Sequence, residues 1–237
     1  MKLVHAFTAI AATLAIASPA LADSITFDSS NVGTAYTLNY NGFSGGTTIG
    51  GLTGSTTFTL TGISGNNYTF DYSVTNTSSA PVTDSRISSF AFNTDPTIAG
   101  ATSTGAFSYT TLNSTYPNAI GSVDVCFKDA QTGSCAGGGS GGLTLGQTGT
   151  GSFTLSFSQP VSSLTLSDFY VRYQSITGVP GISSASGSGT LSSSTSSGGT
   201  PVPEPGMLGL MAGGLVVLGL AQRRRRPARQ ALRTATA

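Results

Sequence analysis

From Ser24 to Ile176 apolar residues alternate with Ser and Thr in short runs. Phe58 and Leu60 share parity, as do Tyr68, Phe70, Tyr72 and Val74; Phe90 and Phe92; Val123, Val125 and Phe127; and Phe153, Leu155 and Phe157. A period of two puts the members of each run on one face of a strand, so each predicts a strand with one buried side. No apolar stripe of helical period and length lies between them. The parity flips between Leu164/Leu166 and Phe169/Val171/Tyr173, which predicts a bulge or tight turn at Ser167-Asp168. Asn41-Gly42, Gly65-Asn66-Asn67, Asp95-Pro96 and Tyr116-Pro117 read as turns. About eight short strands over roughly 150 residues predict one all-β domain, a β-sandwich of the jelly-roll or immunoglobulin-like kind. Its expected extent is residues 23–177.

Both ends depart from this pattern. Residues 1–22 combine Lys2, an apolar run from Ala6 to Ala17, Pro19 and the small-x-small triplet Ala20-Leu21-Ala22. That is the build of a secretory signal peptide, with cleavage expected after Ala22. The only histidine, His5, leaves with it. A mature chain without histidine has no Ser-His-Asp or Cys-His mechanism and no His-ligated zinc. Residues 178–201 are rich in Ser, Gly and Thr and poor in large side chains; they predict a flexible linker with a reach of about 27 Å. Residues 206–221 are uncharged and mostly apolar, a helix of about 24 Å, short but usable as a transmembrane span. Arg223, Arg224, Arg225 and Arg226 follow directly, and the positive-inside rule puts them and the 227–237 tail in the cytoplasm, with the body outside.

The ordered set of Pro203-Glu204-Pro205, a short apolar span and an Arg cluster resembles the PEP-CTERM sorting signal of Gram-negative bacteria, over residues 202–226. The resemblance implies recognition by exosortase, a membrane-embedded cysteine transpeptidase-like enzyme. It also implies export to the envelope, cell surface or extracellular matrix, alongside extracellular polysaccharide. The prolines keep the triplet extended and non-helical, as a processing enzyme requires. The segments CFKDAQTGSCAGGGSGGLTLGQTGTGSFTL and FYVRYQSI resemble, over residues 123–176, the cistern subgroup of such proteins, which implies no activity.

Composition chiefly excludes functions. Ser and Thr number 35 each beside 32 Gly, and only 8% of residues are charged. The formal charge of +1 averages over basic ends and a stretch from Asp23 to Glu204 of net −6. Such a body lacks the clustered cations of a nucleic-acid binder. Cys126 and Cys135, the only cysteines, enclose eight residues; export to an oxidising compartment predicts that they close this loop by a disulfide, worth roughly 3 kcal/mol. A metal pair or a free nucleophile fits them less well. The glycine-rich 136–142 has no Lys-Ser/Thr after it and reads as a loop rather than a phosphate cradle. The Asp residues carry no pairing signature of a glycosidase and no calcium-loop run. Arg172 is expected to pair with Asp168 or another acid. No catalytic, cofactor or metal residue is assigned and no cofactor is expected. The expected protein is a non-enzymatic exported envelope protein. Its main rival is a carbohydrate-binding or adhesive module that works through exposed tyrosines.

Overall fold

The computed structural model describes residues 23–195 apart from 133, 136, 139 and 140. Twelve strands follow one another: β1 (Ser24–Phe27), β2 (Ala35–Ser44), β3 (Thr47–Ser64), β4 (Asn67–Asn76), β5 (Asp84–Asp95), β6 (Gly100–Ser103), β7 (Tyr109–Tyr116), β8 (Gly121–Lys128), β9 (Leu143–Thr144), β10 (Thr148–Ser156), β11 (Leu164–Thr177) and β12 (Ser184–Thr195). Every parity set read from the sequence lies buried. Alternation therefore located a buried face in every run, although Val123 packs in a second cluster apart from Val125 and Phe127, and the domain is all-β.

The strands do not divide into two separate sheets, as a sandwich would require. They form one antiparallel sheet in the order β6-β10-β4-β3-β2-β12-β11-β5-β8-β7, with β1 added to β11 and β9 to β5. Its two end strands, β6 and β7, are consecutive in the chain. A single 3-10 turn, Gly105–Phe107, joins them and buries Phe107 in the core. The sheet thus curls back on itself into a barrel-like wall around one core. Bulges supply the curvature: β11 shifts register against β5 at Ser167/Tyr170, Arg172/Tyr173 and Gln174/Thr177. The first shift is where the parity flip placed it, with Asp168 at φ 53°. Asn41-Gly42, read as a turn, lies inside β2 at another register shift. A Cβ on Gly42 would meet Leu52 at 2.4 Å, so the glycine serves close packing.

Aromatic rings fill the interior. Phe153 lies 4.7 Å from Phe127, 5.0 Å from Phe70 and 5.7 Å from Phe58, ring centre to ring centre. Outside, threonines pair across strands: Thr37 with Thr57, Thr69 with Thr154, and Thr75 with Thr148, at 2.8–3.1 Å between hydroxyls.

The expected boundary after residue 177 is wrong. Residues 184–195, assigned to the linker, form β12 between β2 and β11, in the middle of the sheet. Their low-complexity sequence hides a period-two pattern whose inward residues are Ala185, Gly187 and Gly189. A Cβ on Gly187 would stand 2.9 Å from both Tyr173 and Val171, and one on Gly189 would stand 2.7 Å from Tyr40. Neighbouring strands supply the large side chains here, and β12 must be small to admit them. The signal peptide 1–22, the remaining linker 196–201, the sorting segment 202–226 with its span 206–221 and the 227–237 tail lie outside the described residues. Among the described residues no helix is long and apolar enough to cross a membrane.

Candidate functional site

β5 is buried on both faces, since nearly every residue from Ser85 to Thr94 is shielded. Phe90 and Phe92 point into the barrel. On the opposite side Ala91 joins Tyr116, Val123, Cys126 and Cys135 in a second cluster, with Ile120 and Tyr170 against it. Cys126 sits on β8 opposite Ala91 on one side and Thr111 on the other. Cys135 returns to it from the chain beyond Asp129, and its carbonyl accepts from Ser89 Oγ at 2.6 Å. The two cysteines are thus brought together in one buried cluster, as separate thiols. Burial, then the contact with Cys135, pushes the Cys126 thiol well above its usual range. The hydrogen bond from Cys126 favours the thiolate of Cys135 and holds it below that range.

A buried arginine fastens the same segment. Arg86 Nε donates to Ser175 Oγ at 3.0 Å, and Nη2 donates to Gly138 O at 2.9 Å and to Gln174 Oε1 at 2.8 Å. Nη1 donates to Gly141 O and lies 3.7 Å from Asp129 Oδ2. Asp129 Oδ1 in turn accepts from Gly138 N at 2.6 Å. The glycine-rich stretch therefore offers its carbonyls to a guanidinium of its own chain. Glycine is needed at 137, where φ is +75° and a Cβ would meet Ser88 O at 2.4 Å. Lys128, also buried, donates from Nζ to Thr111 Oγ1 and to the Thr132 carbonyl.

Arg172 does not pair with Asp168. Asp168 accepts instead from Asn93 Nδ2 at 3.0 Å, because the bulge turns it away from the strand's next residues. With its amide oxygen turned inward, Asn118 accepts from Arg172 Nη1 at 3.2 Å and from Ser186 N at 2.7 Å. Burial lowers the pKa of Arg172, and the nearby Tyr116 phenol offsets part of that.

The tyrosines give no exposed platform. Tyr40, Tyr68, Tyr72, Tyr116 and Tyr173 are buried, Tyr36 and Tyr170 half-buried, and only Tyr109 is open to solvent. Each apolar ring fills the barrel or the outer cluster, and four of the buried hydroxyls find partners: Tyr40 with Thr56, Tyr68 with Val161 O, Tyr72 with Thr104 O and Tyr116 with Ser89. Parity alone does not separate a ring needed for the core from one left for a ligand. Carboxylates likewise serve local structure. Asp28 caps a 3-10 turn, Asp124 accepts from Thr94 N at 2.8 Å, and Asp129 and Asp168 are engaged as above. Among the described residues no group of three His, Cys, Asp or Glu side chains could hold a metal ion. An open depression of about 440 Å³ is lined by Asp71, Tyr72, Thr104, Thr150, Gly151 and Ser152, with one carboxylate and no nucleophile–base pair.

The family model for the PEP-CTERM protein-sorting motif matches residues 201–226. The chain carries a PEP-CTERM sorting motif. It is accordingly an exosortase substrate, exported and sorted to the envelope or surface of a Gram-negative cell. The match takes in Pro203, Glu204, Pro205 and Arg223 to Arg226. No curated protein and no solved structure matches the chain.

Proposed function

We propose that this PEP-CTERM protein is a non-enzymatic display protein of the cell envelope. A leader ending at Ala22 is removed, and the barrel-like body stands outside the inner membrane. The 206–221 span holds it, with the Arg cluster inside, until exosortase cuts near Pro203-Glu204-Pro205.

The observation that carries this reading is the sorting motif at its position directly behind a folded body. Only residues 196–202 separate Thr195 from Pro203. Seven residues extend at most about 25 Å, a shorter link than the one expected over residues 178–201. Asp23 Oδ2 accepts from Leu191 N, so the start of the body is fastened to its last strand. The structural employment of Asp23, Asp28, Asp124, Asp129 and Asp168 supports the non-enzymatic part.

Extracellular polysaccharide is the partner class we favour for the displayed body, and the support is its outer face. The Thr37–Thr57, Thr69–Thr154 and Thr75–Thr148 pairs give an uncharged hydroxyl surface. An aromatic stacking mode is disfavoured by the burial of the tyrosines. Replacement of Pro203, Glu204 and Pro205 by alanine is expected to leave an unprocessed, membrane-retained chain, read by fractionation and intact mass. Unchanged maturation of that variant would overturn the sorting reading.

A further inference from the structure

Cys126 and Cys135 stand beneath a cover. Both are fully shielded from solvent, with Tyr116, Ile120 and Tyr170 against them. The segment that carries Cys135 is held by contacts that involve neither sulfur. Ser89 donates to the Cys135 carbonyl, Lys128 to that of Thr132, and Arg86 to those of Gly138 and Gly141, while Asp129 takes the Gly138 N–H. Folding of this segment by itself thus brings the sulfurs into contact.

We propose that Cys126 and Cys135 form a disulfide in the exported protein, by exchange with an oxidised dithiol of the envelope before the segment that carries Cys135 packs down. This rests on the export part of the proposed function. The thiolate of one cysteine attacks the donor's disulfide, and one donor sulfur leaves as a thiolate that takes up a proton. The other cysteine then loses its proton and attacks the first cysteine's sulfur, which releases the second donor sulfur. One S–S bond forms and one breaks, the cysteines lose two electrons, and the donor ends as two thiols. The order follows from burial. A bulky donor has no path to fully shielded sulfurs, so exchange precedes closure, and closure then shields the finished bond from reductants.

Arg86, Lys128 and Arg172 are the only basic residues of the body, so trypsin separates the cysteines into peptides 87–128 and 129–172. The test takes the exported full chain, alkylates it in denaturant without reductant, digests it and measures mass. The expected result is one linked species of the two peptides, two hydrogens lighter than their sum. Two alkylated, separate peptides from chains whose first residue is Asp23 overturn the disulfide. A first residue other than Asp23 overturns the leader assignment instead, so the two failures are told apart. The timing has its own measurement: reductant should open the bond in urea and leave it intact in the native protein. Equal reduction in both states overturns the claim that the donor acts before closure.

Discussion

The carboxylate of Asp23 accepts a hydrogen bond from the backbone N–H of Leu191 at 2.5 Å. It joins the residue expected to begin the mature chain to the strand that ends the body. β12 is not an appendage there, since it fills the gap between β2 and β11.

A chain ended after residue 183 should therefore lose its fold, while one ended after residue 200 should keep it. Without β12 two strand edges open in the middle of the wall, and Tyr40 and Tyr173 lose the backbone they pack on. Thermal unfolding followed by circular dichroism should show a cooperative transition for the longer chain and none for the shorter. Equal melting of the two would contradict the central place of β12.

Arg86→Met should destabilise the body by about 3–5 kcal/mol, the usual loss when one partner of a buried ion pair is removed. The change leaves the Asp129 carboxylate buried and the Gly138 and Gly141 carbonyls without their donor. Urea denaturation of wild type and variant measures it. A loss below about 1 kcal/mol, the level of a surface pair, would mean that the cage is dispensable.

Burial raises the pKa of Tyr40, Tyr116 and Tyr173 well above the ordinary phenol value of 10.0. In the unfolded chain these phenols ionise near 10, and in the folded chain they stay protonated. The stability they confer is complete below pH 10 and is lost as pH rises above it, by up to about 1.4 kcal/mol per unit for each ring. Phenolate absorbance from these rings should appear together with unfolding in an alkaline titration. Their ionisation in a still-folded protein would contradict their burial.

Much of the body was legible in the chain. The shared parity of Tyr68, Phe70, Tyr72 and Val74 named the inward face of β4, and the flip at Ser167-Asp168 named a bulge, because side-chain direction along a strand follows from covalent geometry alone. β12 escaped because its inward positions are Ala185, Gly187 and Gly189, which carry no hydrophobic signal. The volume they leave is filled by Tyr40 and Tyr173, from strands far away in sequence. The cage of Arg86 and Asp129 was illegible for the same reason, since 42 residues separate its partners.

The sorting motif belongs to the other kind. A processing enzyme reads the sorting segment 201–226 in linear order, so the sequence by itself determined that this protein is exported and sorted. It also determined the alternation that makes the body all-β. The tertiary structure alone decided that the strands close into one curled sheet, that the Ser/Gly stretch is a strand, and that Tyr40 and Tyr116 are buried. Alternation states which side of a strand faces inward, and only packing decides which strand stands beside it and which ring fills the space between.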